Sequence, residues 1–533
     1  MKLPATLAAL SLFVFAYPLF AQNTSNLHLL QVIDPVPAEG NPFRYSEVTG
    51  CGDIAVIVGW SFNGTGRNVY LYDVGAPQSP RQLAVVPSTA SVYDVQIHGR
   101  YLYFAVQNQS YIDIFDIIDP ARPMLVNHFQ PNAPPISPHT LWVAGNGLYV
   151  ANNFLQGVTV FDITDKRNPV YKGLFNTDFG TSHDNTVIHG KLYASFIFSP
   201  AGIWYADVRD LSAPRSIASA KYPGAGTHNA WPTEDERYIL TTDEIGMTAH
   251  SVKIWDTQGG ALELVAEYQT RTGAIVHNVY VRGRYAYMSY YCDGIRIIDI
   301  ADPRNPVEVA AYDIKGAEPC EGFASTWGMY PFSKYIYASD MNRGLHIFEF
   351  DQHPPANLTG TVRDAETGAT ISGAYVYFPE EYATSRTNAG GAYEIPWLKN
   401  DRVRVAAVAP GYHAETLTAN TAANGNTRLD FALRKIPTVP QEFALHANHP
   451  NPFNAATMIS YETPIAARLS LKIYNSLGQE VRTLIDAFQT AGYKTVPWDG
   501  RNSAGKILSS GVYFYRLQAA GFAQTKKLVM VMK

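Results

Sequence analysis

The line "YIDIFDIIDPARPMLV" at residues 111–126 returns in "VTVFDITDKRNPVYKG" (158–173), "IWYADVRDLSAPRSIA" (203–218) and "IRIIDIADPRNPVEVA" (295–310). Each copy reads as an alternating strand ending at an Asp, an Asp/Pro turn and a second strand. "VYLYDVGAPQSPRQLA", "VKIWDTQGGALELVA" and "LHIFEFDQHPP" are weaker copies. The anchors Asp73, Asp116, Asp162, Asp207, Asp256, Asp299 and Glu349 lie 43, 46, 45, 49, 43 and 50 residues apart. That is the period of four-stranded propeller blades, roughly 40 to 50 residues. One such unit cannot bury both its faces, so the pattern calls for stacking around an axis.

The expected fold is therefore all-β: a seven-bladed β-propeller over 22–353, followed by two Ig-like β-sandwich domains. The seventh unit stops at Pro354 and Pro355 before a fourth strand is made. Residues 27–33, in "NLHLLQVIDP", look like the outer strand of the other units. They are expected to complete the last blade and so remove an open edge.

Counting nine residues back from each second strand aligns one position across the units. It falls on Tyr45, Tyr93, His139, His183, His277 and Trp327, and on His228 with one inserted residue. These residues are expected to ring one mouth of the central channel. Four imidazoles converging there, His139, His183, His228 and His277, suit a transition metal, or an anion when protonated. Asp94, Asp184, Asn229 and Asn278 follow the ring position and are expected to orient imidazoles or touch the ligand. The competing reading is structural: polar residues at strand entrances that hydrogen-bond the next blade. A Ser182/His183/Asp184 triad is disfavoured, because neighbours on a strand alternate sides. Cys292 and Cys320 fall in loops on one face and are expected to pair, leaving Cys51 alone.

The repeated "IDIxDP" turns resemble the LVIVP-repeat propellers of secreted bacterial proteins, the choice-of-anchor B family, over about residues 27–352. The resemblance implies a fold and a location, and no particular reaction. "GTVRDAETGATISGAYV", "TNAGGAYEI" and "VAAVAPGYHAET" make 356–435 similar to the carboxypeptidase regulatory-like domain, a spacer or contact module. No HExxH occurs in the chain, so no peptidase catalytic motif accompanies it. After the linker "KIPTVPQEF", residues 440–533 resemble the C-terminal sorting domain of type IX secretion. Asn451, Pro452, Phe453, Asn454, Gly478, Trp498, Asp499, Gly500, Gly505, Ser510, Gly511 and Tyr513 carry the match. That resemblance implies the type IX machinery of the outer membrane as a partner.

Residues 1–21 read as a secretory signal peptide, with one Lys and a short apolar run containing Pro18. No later stretch is long and apolar enough to cross a bilayer. A net charge of −5 without a basic run excludes nucleic acid as the main partner. The expected location is secreted or on the outer cell surface. Three functions stay open: a ligand-binding propeller taking a glycan, peptide or other ligand at its mouth, a metal-dependent enzyme using the histidine ring, and a structural matrix or adhesin component. No cofactor is assigned beyond the transition metal of the second reading.

Overall fold

The computed structural model describes residues 24–531, apart from 36–43, 61–67, 107–108, 132–133, 154, 176–178, 247–249, 272, 317–319, 355–357, 397–401, 422–425, 438, 455 and 520. The expected signal peptide lies outside the described residues. The described residues form two compact units, one ending at Arg434 and one beginning at Lys435. No helix among them is long and apolar enough to cross a membrane.

Among the described residues, 27–350 fold into seven separate four-stranded antiparallel sheets. The innermost strands are Tyr45–Cys51, Val92–His98, Pro138–Ala144, Asp184–Ile188, Thr227–Pro232, Val279–Arg282 and Thr326–Tyr330. Each packs against the next sheet, and Thr326–Tyr330 packs back onto Tyr45–Cys51. The outer strand of the seventh sheet is Leu27–Ile33, antiparallel to Gly344–Phe350 with Leu27 opposite Phe350.

The recurrent Asp has a local cause. Asp116, Asp162, Asp207, Asp256 and Asp299 each accept the backbone N–H two residues on, at 2.9, 2.9, 3.2, 2.9 and 2.8 Å. The second Asp of the turn repeats the device: Asp119, Asp165 and Asp302 accept from Ala121, Arg167 and Arg304. A short carboxylate that folds back on its own turn ends one strand and aims the next.

The innermost strands also share an irregularity. A β-bulge lies between Tyr45 and Val48, Val92 and Asp94, Pro138 and Leu141, Thr227 and Asn229, and Thr326 and Met329. In the fourth sheet the His183 N–H reaches Ser195 O at 2.8 Å while Asp184 pairs with the same residue. A bulge sets two consecutive residues against one partner, so both side chains face the axis. The strict alternation expected at His183 and Asp184 does not hold there. Ser182 is turned away, its hydroxyl donating to Gly157 O, so no triad forms with these two.

Residues 358–433 make two small sheets around Leu358, Val362, Val376, Tyr393, Val405 and Phe431. This module is packed against the turns joining the first and second strands of the first four sheets, and against the turn after the third strand of the second sheet. Tyr375 donates to Ile117 O at 2.6 Å, and Thr384 Oγ1 accepts from the Gly99 N–H at 3.0 Å. At Gly52, with φ +51°, a Cβ would meet Arg386 N and O at 2.7 Å, so the turn closes on the module only with glycine there. Tyr382 enters the base of the channel, its ring 5.8, 5.6 and 5.4 Å from Trp142, Trp231 and Phe332. The channel is stoppered at that end.

The second unit is a sandwich. A three-stranded sheet, Ala444–Leu445, Thr457–Thr463 and Gly492–Trp498, faces a four-stranded one of Ala467–Tyr474, Glu480–Gln489, Gly511–Ala519 and Phe522–Met530. Trp498, Tyr515, Leu471 and Leu528 fill the core between them.

Candidate functional site

Six rings from the bulged positions form a closed circuit at the open end of the channel. Centroids are 4.9 Å apart for Tyr93 and His139, 4.1 Å for His139 and His183, and 4.4 Å for His183 and His228. His228 to His277 is 4.0 Å, His277 to Trp327 is 4.9 Å, and Trp327 to Tyr93 is 6.3 Å. The structure thus brings together all four histidines, Tyr93 and Trp327.

Tyr45 is a correction. It lies between the first and seventh sheets, packed with Val48, Ile57, Tyr337 and Leu345, and its hydroxyl donates to Asp34. Val48 pairs with Ile57 as Val95 pairs with Phe104, which makes Ser46 the true counterpart of Tyr93. One residue of slip moves a side chain to the other face of its strand. The gap is filled from a neighbouring loop by Trp60, 6.0 Å from Tyr93 and 5.7 Å from Trp327.

Burial governs the imidazoles. It holds His139 down to about 4 and His277 to about 3, and pushes His183 and His228 well below the usual range, with neighbouring imidazoles adding to the effect. All four are neutral at physiological pH, so an anion held by protonated histidines is disfavoured, whereas neutral imidazole is a metal ligand.

Below the rings lies a layer of carboxylates and amides. Asp94 accepts from Val95 N at 2.7 Å and from Leu141 N of the next sheet at 2.8 Å. Asp184 accepts from Asn185 N at 2.7 Å and from Asn229 Nδ2 at 2.6 Å, and Asn229 Oδ1 accepts from Val279 N at 3.1 Å. Asp94, Asp184 and Asn229 therefore each tie their sheet to a neighbour. Glu47, which the slipped register hid, belongs to this layer: its Oε1 accepts from Val48 N at 3.0 Å. A Cβ on Gly328 would lie 2.1 Å from that Oε1, so the glycine makes room for the longer acid.

These groups line a cavity of about 50 Å³, bounded by Glu47, Asp94, Asp184, Asn278, Tyr93, Trp142, Tyr280 and Trp327 among others. A second space of about 60 Å³ continues toward Tyr382. Neither is lined by Lys or Arg. Burial and mutual repulsion raise Glu47 well above the usual carboxylate range and Asp94 to about 7, and burial raises Asp184 to about 6. Asn278, 3% exposed, has no hydrogen-bond partner for its Oδ1.

Loops cover the rings. Glu244, after the second strand of the fifth sheet, lies with Oε2 3.8 Å from His228 Nε2 and Oε1 3.9 Å from His277 Nε2. Tyr291 OH donates to Glu244 Oε1 at 2.5 Å. Cys292, next in the chain, is disulfide-bonded to Cys320, which ties this turn to the loop entering the seventh sheet. Cys51 is free and buried, its thiol pushed up to about 12. Sequence reasoning missed Glu244, Tyr291 and Trp60 because strand registers cannot pair with loops. Their signal was present only as an acid in "DEIGMTAHS" and a tyrosine pair in "YYCDG".

No curated protein sequence matches the chain. Among solved structures it is similar to the WD40 repeats of RRP9, with 10% identity, 62% of this chain and 99% of that one covered, and a TM-score of 0.46. It is similar to the WD40 β-propeller domain of Doa1, with 12% identity, 61% and 98% coverage, and a TM-score of 0.44. A third is PorZ, a surface component of the type IX secretion system of Porphyromonas gingivalis, with 10% identity, 93% and 61% coverage, and a TM-score of 0.44. Residues 90–130, 138–177 and 273–314 match the LVIVD repeat, 357–434 the carboxypeptidase regulatory-like domain and 453–521 the FlgD Ig-like domain. The chain thus carries LVIVD repeats in those segments, with a carboxypeptidase regulatory-like domain and an Ig-like domain after them.

Proposed function

We propose that this is an exported, surface-displayed binding protein: a seven-bladed propeller of the choice-of-anchor B kind that holds a ligand in its blind channel. The signal-like residues 1–21 support entry to the periplasm. The "NPFN", "WDGRNSAGK" and "GVYFYRL" segments support a type IX sorting role for 440–533, with the outer-membrane machinery as partner.

The observation that carries the binding reading is the excess of acceptors in the cavity. Two carboxylates, Asp94 and Asp184, the acid Glu47 and an unpartnered amide oxygen face a space walled by aromatic rings and closed below by Tyr382. An alcohol or neutral amide would leave that negative charge unanswered. A protonated amino group answers it with three N–H donors, and aromatic faces attract it further. The ligand class is an amine-bearing glycan or peptide.

Calorimetric titration with butylammonium against 1-butanol, and with glucosamine against glucose, tests this. Binding of the two amines alone is expected at pH 7.5, weakened about tenfold or more in Asp94→Asn. Affinity should fall as pH drops from 8 to 6, because Asp94, facing Glu47 and Asp184, takes up its proton near 7 and loses its charge. Equal binding of neutral and charged probes, or none of either, would contradict the reading.

A further inference from the structure

We propose that His183, His228, His277 and Glu244 hold a divalent first-row transition-metal ion at the channel mouth. The inference goes beyond the amine-binding reading and does not depend on it. It also changes the ligand set expected from the sequence, exchanging His139 for Glu244.

The tautomer of His277 is fixed by its surroundings. Its Nδ1 lies 2.7 Å from Trp327 O, and a carbonyl only accepts, so the ring proton is on Nδ1. Nε2 is left as a bare lone pair, and it faces Glu244 Oε1 across 3.9 Å. That oxygen already accepts from Tyr291 OH at 2.5 Å. Two acceptors thus confront each other inside a buried site. Something positive between them removes the conflict, and a backbone carbonyl on the far nitrogen is how a metal-bound imidazole is usually held.

The other ligands converge on the same point. His183, His228 and Glu244 each offer an atom within 4.8 Å of the others'. His228 Nε2 is 3.8 Å from Glu244 Oε2. Bonds of about 2.1 Å in a tetrahedral site set ligand atoms roughly 3.4 Å apart, so small side-chain rotations close the set. His183 Nδ1 has no hydrogen-bond partner of its own. Three imidazole nitrogens and one carboxylate oxygen suit zinc, copper, nickel or iron and do not suit magnesium or calcium. His139 lies between Tyr93 and His183, its ring tilted 48° and 58° to theirs, and belongs to the wall of the site.

The test uses the full chain, stripped with a chelator and titrated with Zn²⁺ and with Co²⁺, whose visible spectrum reports its ligands. One equivalent should bind, with cobalt bands of a four-coordinate nitrogen and oxygen site. Glu244→Gln and His228→Ala should each weaken binding about 100-fold or more, and His139→Ala should leave stoichiometry at one. Glu244→Asp, read by the same cobalt bands, serves if Glu244→Gln does not fold. Binding below one equivalent, or binding that all three sites' substitutions leave unchanged, would overturn the assignment; so would loss in His139→Ala with Glu244→Gln unaffected. The amine titration, run on metal-free protein, reads the cavity alone, so failure of one reading is separable from failure of the other.

Discussion

Removing residues 24–33 is expected to lower the melting temperature of the first unit by about 5 °C and to make it aggregate on heating. Strand Leu27–Ile33 pairs along the whole of Gly344–Phe350, where Leu345, Ile347, Phe348 and Phe350 are buried. Its loss uncovers that row of backbone groups together with the apolar contacts of Leu27 and Leu29. The segment also crosses to the sixth sheet: Thr24 N donates to Ala311 O and Asn26 Nδ2 to Val309 O, each at 3.0 Å. At about 2 kcal/mol per buried apolar side chain the cost is on the order of 5 kcal/mol, and at roughly 2 cal/mol/K of unfolding entropy per residue a unit this large shifts by about 1 °C per kcal/mol. An exposed strand edge then recruits other chains. Scanning calorimetry with light scattering checks both effects. An unchanged melting profile would mean that this strand does not hold the seventh sheet.

Tyr382→Ala is the second large effect, a loss of about 3 kcal/mol. The ring fills the base of the channel against Trp142, Trp231 and Phe332. Truncation leaves a void between two packed bodies, so unfolding in denaturant should shift to lower concentration. The carboxypeptidase regulatory-like module should also become more open to proteolysis while the seven sheets persist. Tyr382→Phe should restore nearly all the stability, since the packing and not the hydroxyl carries it. A wild-type midpoint in Tyr382→Ala would show that the stopper contributes little.

What was legible in the sequence follows from which residues act locally. The turn aspartates recur because each one caps its own turn, so their period could be read directly. The four histidines could be aligned because equal strand lengths keep equal registers. The same counting failed at Tyr45, where taking the second strand one residue early reversed the face, and with it went Glu47. It could not foresee that a bulge turns His183 and Asp184 toward the same axis, because a bulge depends on partner strands and leaves no composition signal. Glu244, Tyr291 and Trp60 reach the site from loops whose paths depend on the packed ring. The carboxypeptidase regulatory-like module read as a spacer or contact module, since Tyr382 in "FPEEYATS" shows its partners only once seven sheets have gathered Trp142, Trp231 and Phe332 around one space.

The whole account depends on the chain's amino-terminal strand meeting its seventh sheet, for that contact sets the ring that collects the imidazoles. His28 and Glu349 are directly opposite in that pairing, on its exposed side. Opposed residues in antiparallel strands have Cα atoms about 4.5 to 5.5 Å apart, within reach of a disulfide. In the double variant His28→Cys/Glu349→Cys, oxidised and mapped by mass spectrometry, the account predicts one intramolecular bond between positions 28 and 349 in nearly every chain. Two free thiols at those positions, or bonds formed only between chains, would contradict it.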